Sequence, residues 1–387
     1  AWAGTSPSRE SASALGMMTS SIAEKSAVRT GFRLDVIVSL PSLHHRTGSA
    51  VSDRATTIER ARRIKSQARR SIKPNRAHAA HPVANPPGRP LYGQGVPAIE
   101  GVQETAGNRT REMVDDTERM LRDSVAAFVQ RGEGPARLRR VRGTKPGFER
   151  ESWNRVVEAG WIGLHLPEET GGFGLGLAEL AVVMEELGRG LAPEPAASTG
   201  VLAAGALAHA GGDAAALVPK IVSGEILPCP AWQEAEGDHA GRTCATRAEG
   251  GRLTGVKRFV LAPEGADGFV TTARDGADGL GVETQIRTDG GWIGEVRFEN
   301  TPARRLADAA ATGAALARAV DEARLAAAAE LVGVMTAALD MTVEFVKQRS
   351  QFGKPIGSFQ ALQHRIVDIW TQKELARAAV MRAVELF

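Results

Sequence analysis

The sequence predicts a mixed α+β protein, with helical regions on either side of a small β-rich one. Three observations predict it. Apolar residues recur at three- and four-residue spacing from Met113 to about Pro228. Near Leu227 the pattern changes to short β-branched runs separated by Gly and Asp. After Gly313 the helical period returns and continues to the last residue.

In the first helical region, Met120, Val125, Phe128 and Val129 begin an amphipathic helix. Trp153, Val156 and Val157 mark another, which ends on Ala159-Gly160 as helices often end on glycine. The glycine-rich stretch Leu166–Gly176 superficially suggests a dinucleotide fingerprint. Its glycine spacing is wrong, no β-branched strand precedes it, and no ribose-binding acid follows at the right distance. It reads as a connector that caps the next helix, where Leu177, Leu180, Ala181, Met184 and Leu187 share a face. Val201–Ala210 and Ala214–Val222 supply further helix, giving an all-α domain over 113–228.

A β-domain is expected over 229–308. Arg252–Leu261 reads as a hairpin strand, followed by Gly268–Ala273 and Trp292–Phe298. The last region, 312–387, carries Leu325, Ala328, Val332, Met335, Leu339, Val343 and Val346 on one face of a helix longer than about thirty residues. A second helix starts near Phe359 and reaches Phe387 with no stop signal. It is expected to be a helix cut off mid-pattern, in a truncated domain.

Charge divides the chain. Residues 1–110 carry 16 Lys+Arg against 7 Asp+Glu, and the remainder 32 against 38. A basic leader thus precedes a mildly acidic body, which argues against nucleic acid as the body's partner. The leader, 1–112, lacks sustained apolar periodicity and is expected to be a disordered or spurious extension. Its Arg60–Lys65 cluster leaves a nucleic-acid arm or a transit segment as alternatives. Cys229 and Cys244 are too few for a disulfide framework or a zinc site. Buried thiols in a reducing, cytoplasmic setting are expected. No stretch approaches eighteen consecutive apolar residues, so no membrane span is expected.

The most informative segment is Arg349-Ser-Gln-Phe-Gly-Lys-Pro-Ile-Gly-Ser-Phe-Gln360, with Gln363-His364 beyond. It gathers an arginine, two phenylalanines and two glutamines at a forced break between two helices. A guanidinium for pyrophosphate, amides for polar ring edges and phenyl rings for stacking suit a planar, phosphate-bearing ligand. An ordinary helix corner ending on arginine is the alternative from chemistry alone.

The pattern Arg-x-x-Phe-Gly-x-x-Ile-x-x-Phe-Gln-x-x-Gln-His resembles the flavin-binding segment of the acyl-CoA dehydrogenase family. Met113–Arg122 and the Leu166–Gly176 loop with its helix also resemble that family's N-terminal domain. The resemblance implies an acyl-CoA dehydrogenase-like fold: an N-terminal helical domain, a middle β-barrel domain and a C-terminal helical bundle, here incomplete. It implies FAD between the β-domain and the C-terminal helices, partly contacted by a neighbouring subunit.

On that resemblance Arg349 pairs with the pyrophosphate, beside Gln351 and Phe352, while Ile356, Phe359 and Gln360 wall the adenine side. In the β-domain the family's Thr-Glu-Pro-x-x-Gly-Ser-Asp stretch is replaced by Ala231–Asp238. Gln233 remains as a flavin donor and the serine is absent. The usual aromatic-Ile-Thr-Asn becomes Phe259-Val-Leu-Ala262. Phe259 can still stack on the ring, and the backbone N–H of Leu261 replaces a lost hydroxyl.

The implied reaction removes the α-proton of an acyl-CoA thioester with a carboxylate, while a hydride leaves the β-carbon for flavin. In most members that base is a glutamate far along the C-terminal domain, expected beyond Phe387. In a minority it precedes a helix arginine, aligned with Arg324, and there the residue is Ala323. No catalytic residue is therefore named in this chain, and the fragment as given is expected to be poorly stable or inactive. Arg324 either holds substrate or pairs on its own helix. Implied partners are an electron-transfer flavoprotein or similar acceptor, in a homodimer, homotetramer or heterotetramer. Rival readings are a flavin oxidase or monooxygenase of the same fold, and a non-catalytic partner subunit of a heteromeric dehydrogenase.

Overall fold

The computed structural model describes residues 35–39, 106–131, 134–238, 244–275, 281–286 and 292–387. Other parts of the leader, including its Arg60–Lys65 cluster, lie outside the described residues. Helix α1 (Ala106–Arg131) opens the helical domain, so the boundary drawn at Met113 falls inside it. Leu121, Val125 and Phe128 lie three to four residues apart and are all buried. Phe128 meets Trp161 edge-on at 5.2 Å and carries the Arg137 guanidinium 5.4 Å above its ring. Arg137 belongs to α2 (Pro135–Val141) and makes a buried ion pair with Glu194 at 2.9 Å. α3 (Arg150–Glu158) buries Trp153, Val156 and Val157 against the same core.

The glycine-rich loop is the connector the sequence suggests. It folds back on itself through Phe173 N–H to Gly163 O at 3.1 Å and Gly174 N–H to Leu166 O at 2.8 Å. The Gly176 N–H then donates to Glu179 Oε2 at 2.8 Å, satisfying an orphan donor at the start of α4 (Leu177–Arg189). A π-helical stretch, Ala196–Ala203, leads into α5 (Ala204–Ala210). Two short helices, α6 (Gly212–Ala215) and α7 (Val218–Val222), finish the domain.

The β-domain is one sheet of eight strands among the described residues. They are β1 (Asp35–Ser39), β2 (Pro228–Ala231), β3 (Arg247–Glu249), β4 (Arg252–Leu261), β5 (Gly268–Asp275), β6 (Gly281–Ile286), β7 (Trp292–Pro302) and β8 (Arg304–Ala307). Their order is β6-β7-β4-β3-β5-β1-β8, with β2 lying parallel to β5. Cys229, Leu253, Val260, Phe269, Val296 and Phe298 fill its interior, Phe269 and Phe298 meeting edge-on at 6.0 Å. β1 comes from the leader, which the sequence reading expected to contribute no structure. Its Val36-Ile37-Val38 run has the β-branched composition strands favour.

Helix α8 (Ala309–Gln348) runs 40 residues, and α9 (Gln360–Leu386) follows. Leu325, Val332, Leu339 and Val346, seven residues apart, are buried along α8; Ala328, Met335 and Val343 are only partly covered. By length and composition alone, Ala311–Gln348 qualifies as a membrane span, contrary to expectation. Its alanines raise the hydropathy without forming an unbroken apolar run, and its buried stripe is occupied by α4 and α5. Gly188 of α4 and Gly333 of α8 set that crossing. A Cβ on Gly333 would stand 1.8 Å from the Glu185 carbonyl oxygen, so only glycine fits. Leu331, Met341, Phe345, Val367, Trp370 and Leu375 lie exposed on α8 and α9.

Candidate flavin site

Between α8 and α9 the chain makes a two-stranded hairpin, β9 (Ser350–Gln351) with β10 (Lys354–Pro355). Phe352 and Gly353 form its turn at φ 56° and 77°. Positive φ at both central positions is the type I′ pattern, which glycine adopts freely and a bulky aromatic seldom does. The Phe352 ring is 90% exposed at the tip. It meets Phe359 edge-on at 6.2 Å, and Lys354 Nζ lies 4.4 Å above the Phe359 ring.

The backbone holds this corner firmly. Ile356 N–H donates to Arg349 O at 2.8 Å, and Gln363 Nε2 donates to Gly357 O at 2.9 Å. Arg349 itself is exposed, and its guanidinium makes no ion pair among the described residues. Gln351 and Gln360 are also exposed, whereas Ile356 and Phe359 are half-buried. The corner thus brings together Arg349, Gln351, Phe352, Ile356, Phe359 and Gln360. An unpaired guanidinium beside two exposed amides and a projecting ring suits an anionic, aromatic ligand.

The β-domain residues form a second group. Register shifts in β4 between Lys257 and Val260, and Phe259 stands at that bulge with φ 59°. Phe259 is half-exposed rather than core, with the Arg258 guanidinium 5.8 Å from its ring centre. Arg258 N–H donates to Gln233 O at 2.8 Å, which sets the buried Gln233 beside the bulge. Beyond it, Ala262 N–H donates to Trp292 O at 2.7 Å, and Leu261 pairs with Ile293. Hydrogen-bonded and non-hydrogen-bonded pairs alternate in antiparallel ladders, so the Leu261 N–H points away from β7. The Leu261 carbonyl accepts from Cys229 Sγ at 2.9 Å. Of five non-glycine residues with positive φ among the described residues, two are thus the phenylalanines named for ring contact, Phe259 and Phe352.

Arg324 is exposed and donates to Asp321 at 2.6 Å, so it pairs on its own helix. Its neighbour Glu322, to which the sequence reading gave no role in the site, is ion-paired inside the protein. Glu322 is 2% exposed. His209 Nε2 lies 2.9 Å from its Oε2, Arg318 Nε donates to its Oε1 at 2.9 Å, and His165 Nε2 stands 3.6 Å away. Burial pushes this carboxyl up, but the nearby His165 imidazole and the hydrogen bonds with His209 and Arg318 outweigh it and hold the group well below the usual carboxylate range.

A buried pair that sequence reasoning missed lies under the Gln233 segment. Lys257 Nζ is fully buried and donates to Glu234 Oε1 at 2.6 Å and Thr272 Oγ1 at 3.1 Å. The same carboxylate accepts from the backbone of Thr246 at 3.0 Å and from Ala245. Desolvation raises the Glu234 carboxyl, but Lys257 and these donors pull it below its ordinary value.

A helix–sheet–helix architecture with aromatic and guanidinium groups at these two places is compatible with a flavoprotein. The family description "Acyl-CoA dehydrogenase, N-terminal domain" matches residues 115–225, and "Acyl-CoA dehydrogenase, C-terminal domain" matches 312–387. The chain is 34% identical over 272 residues to the acyl-CoA dehydrogenase IpdE2 of Mycobacterium tuberculosis, covering 68% of this chain and 74% of the relative. Among solved structures it resembles a variant of the Tcur3481-Tcur3483 steroid ACAD, with TM-score 0.62, 32% identity, and 70% of this chain and 78% of that one covered. It also resembles the ChsE4-ChsE5 complex from M. tuberculosis, with TM-score 0.58, 27% identity and coverage of 69% and 78%. The chain belongs to the acyl-CoA dehydrogenase family. Members of this family are flavin oxidoreductases, and their cofactor is FAD.

Proposed function

We propose that the chain oxidises an acyl-CoA thioester to the 2,3-enoyl-CoA, and that an electron-transfer flavoprotein or similar carrier then takes the electrons. The Arg349–Gln360 corner carries this reading, because it presents an unpaired guanidinium and a strained, fully projecting phenyl ring together. When bound, FAD supplies the acceptor for the hydride that leaves the substrate β-carbon. Arg349 neutralises its pyrophosphate. Gln351 and Gln360 offer amides to polar edges, and Phe352, Ile356 and Phe359 exclude water from the adenine side.

At the other group, Phe259 stacks on the flavin ring system, and the Gln233 amide with the Leu261 N–H offers donors to its polar edge. Arg324 is assigned to the substrate's polar groups at the expense of its bond to Asp321. The outward direction of the corner supports assigning it to cofactor shared with a second subunit, as in a homodimer, homotetramer or heterotetramer. Free, buried Cys229 and Cys244 suit the reducing cytoplasm proposed for it.

The α-proton is assigned to no residue here. Ala323 has no acid, and Glu322 is buried and held by His209 and Arg318. A base must reach the proton it removes. The test is purification with flavin, followed by anaerobic addition of straight-chain, branched and steroid-side-chain acyl-CoAs. Bound oxidised flavin is the expected result, with bleaching by at least one class and enoyl-CoA formed in equal amount where a general base reaches the α-carbon. A purified protein that holds no flavin would overturn the reading.

A further inference from the structure

The strand Asp35–Ser39 stands outside every function assigned above, and its position in the sheet gives it one. It lies between β5 and β8 and is antiparallel to both. Asp35 pairs with Ala273, Ile37 with Thr271 and Ser39 with Phe269. On its other edge Val36 pairs with Ala307, and Ile37 and Val38 pair with Arg305 and Arg304 across a bulge. Among the described residues, β1 is the strand that joins β8 to the sheet. On the far edge of β5, β2 occupies Gly268–Thr271 and β3 occupies Arg274–Asp275, so its near edge is the one β1 closes.

The β5 residues facing this arrangement are interior ones. Phe269, Val270, Thr271, Thr272 and Ala273 are each under 9% exposed. Without β1, the alternate residues of Phe269–Ala273 whose backbone groups face it lose their partners, and β8 with its buried Leu306 loses its place in the sheet. Thr272 also accepts from buried Lys257, which holds the Gln233–Glu234 segment. Val270, Thr271 and Thr272 line an apolar crevice shared with Leu202, Trp232 and Leu316. The slot therefore supports the wall where the three domains meet.

We propose that the gap between β5 and β8 is a strand-accepting site and that Asp35–Ser39 of the same chain is its occupant. The N-terminal segment is then a working part of the β-domain. Its β-branched centre and five-residue pairing give the chemistry the site requires: an extended segment with an apolar, β-branched middle running antiparallel to both neighbours. This inference stands apart from the flavin reading.

The test is hydrogen–deuterium exchange on the full chain, comparing wild type with Ile37→Val and Ile37→Pro. Proline removes a ladder donor and is excluded from central strands, whereas valine keeps both. Expected is exchange at Phe269–Ala273 and Arg304–Ala307 at least about tenfold faster in I37P alone, with α4 amides still protected. Should I37P loosen α4 as well, I37G keeps the N–H and gives a graded loss confined to β5 and β8. Unchanged protection of β5 in I37P and I37G would overturn the proposal. Protection that rises with protein concentration would assign the strand to a second copy and overturn the in-chain occupant.

Discussion

His209 Nε2 lies 2.9 Å from Glu322 Oε2, joining the helical domain to the long helix α8 across 113 residues of sequence. With Arg318 on the other oxygen, the carboxylate is buried and ionised at a domain junction. Removing its charge weakens the contacts of the His209 imidazole and the Arg318 guanidinium. Glu322→Gln is expected to lower stability by about 1–3 kcal/mol in urea unfolding at pH 7.

The same group sets a pH dependence. Its folded-state carboxyl is held below the ordinary value of 4.5, so its contribution is full above that value and is lost as pH falls through the folded-state value. Wild-type stability should decline progressively below about pH 5, and E322Q should show a flatter decline. Parallel pH curves for the two proteins would refute the assignment.

The α4–α8 crossing depends on two glycines. Gly333→Ala would press a methyl group into the Glu185 backbone, and Gly188→Ala would do the same at Glu330, where a Cβ stands 2.1 Å from the carbonyl oxygen. Each substitution should cost more than about 2 kcal/mol, since backbone cannot yield as a side chain can. A Gly313→Ala control, where a Cβ meets nothing within 4 Å, should be neutral or stabilising in the same assay.

Lys257 and Glu234 should behave as a unit. Lys257→Met strands a buried carboxylate and is expected to cost about 3–5 kcal/mol. The double variant Lys257→Met with Glu234→Gln should be less damaged than K257M alone, and chemical unfolding of all four cycle members measures the coupling. Additive losses would show that the pair acts only through packing.

Phe352 separates stability from function. Replacing it with glycine relieves a bulky residue of φ 56° and should raise stability by up to about 1 kcal/mol. It also removes the projecting ring, so flavin retention through gel filtration should fall. A variant that gains stability and keeps its flavin would place the ring outside the site.

Much of this arrangement is legible in the sequence, for identifiable reasons. The corner announces itself because its residues fall within twelve consecutive positions at a turn. The 40-residue helix follows from a stripe that local geometry dictates. The burial of Glu322 was not legible because its partner His209 is remote in sequence; the local signal is Arg318, four residues earlier on the same helical face. Lys257 shares the inward face of β4 with Leu253 by the two-residue period, a buried-lysine pattern that alternation alone exposes. β1 was missed because five β-branched-centred residues in a polar, arginine-rich leader carry too short a period to register, and long-range pairing supplies the rest.

The account rests most on Arg349 as the anchor of the cofactor. The direct measurement is the Kd for FAD of wild type and Arg349→Gln, followed by flavin fluorescence at two salt concentrations. A wild type that binds FAD, and an R349Q weakened by at least about tenfold with a smaller salt dependence, is the predicted result. Wild type that fails to bind FAD, or R349Q that binds it equally well at both salts, would contradict the assignment.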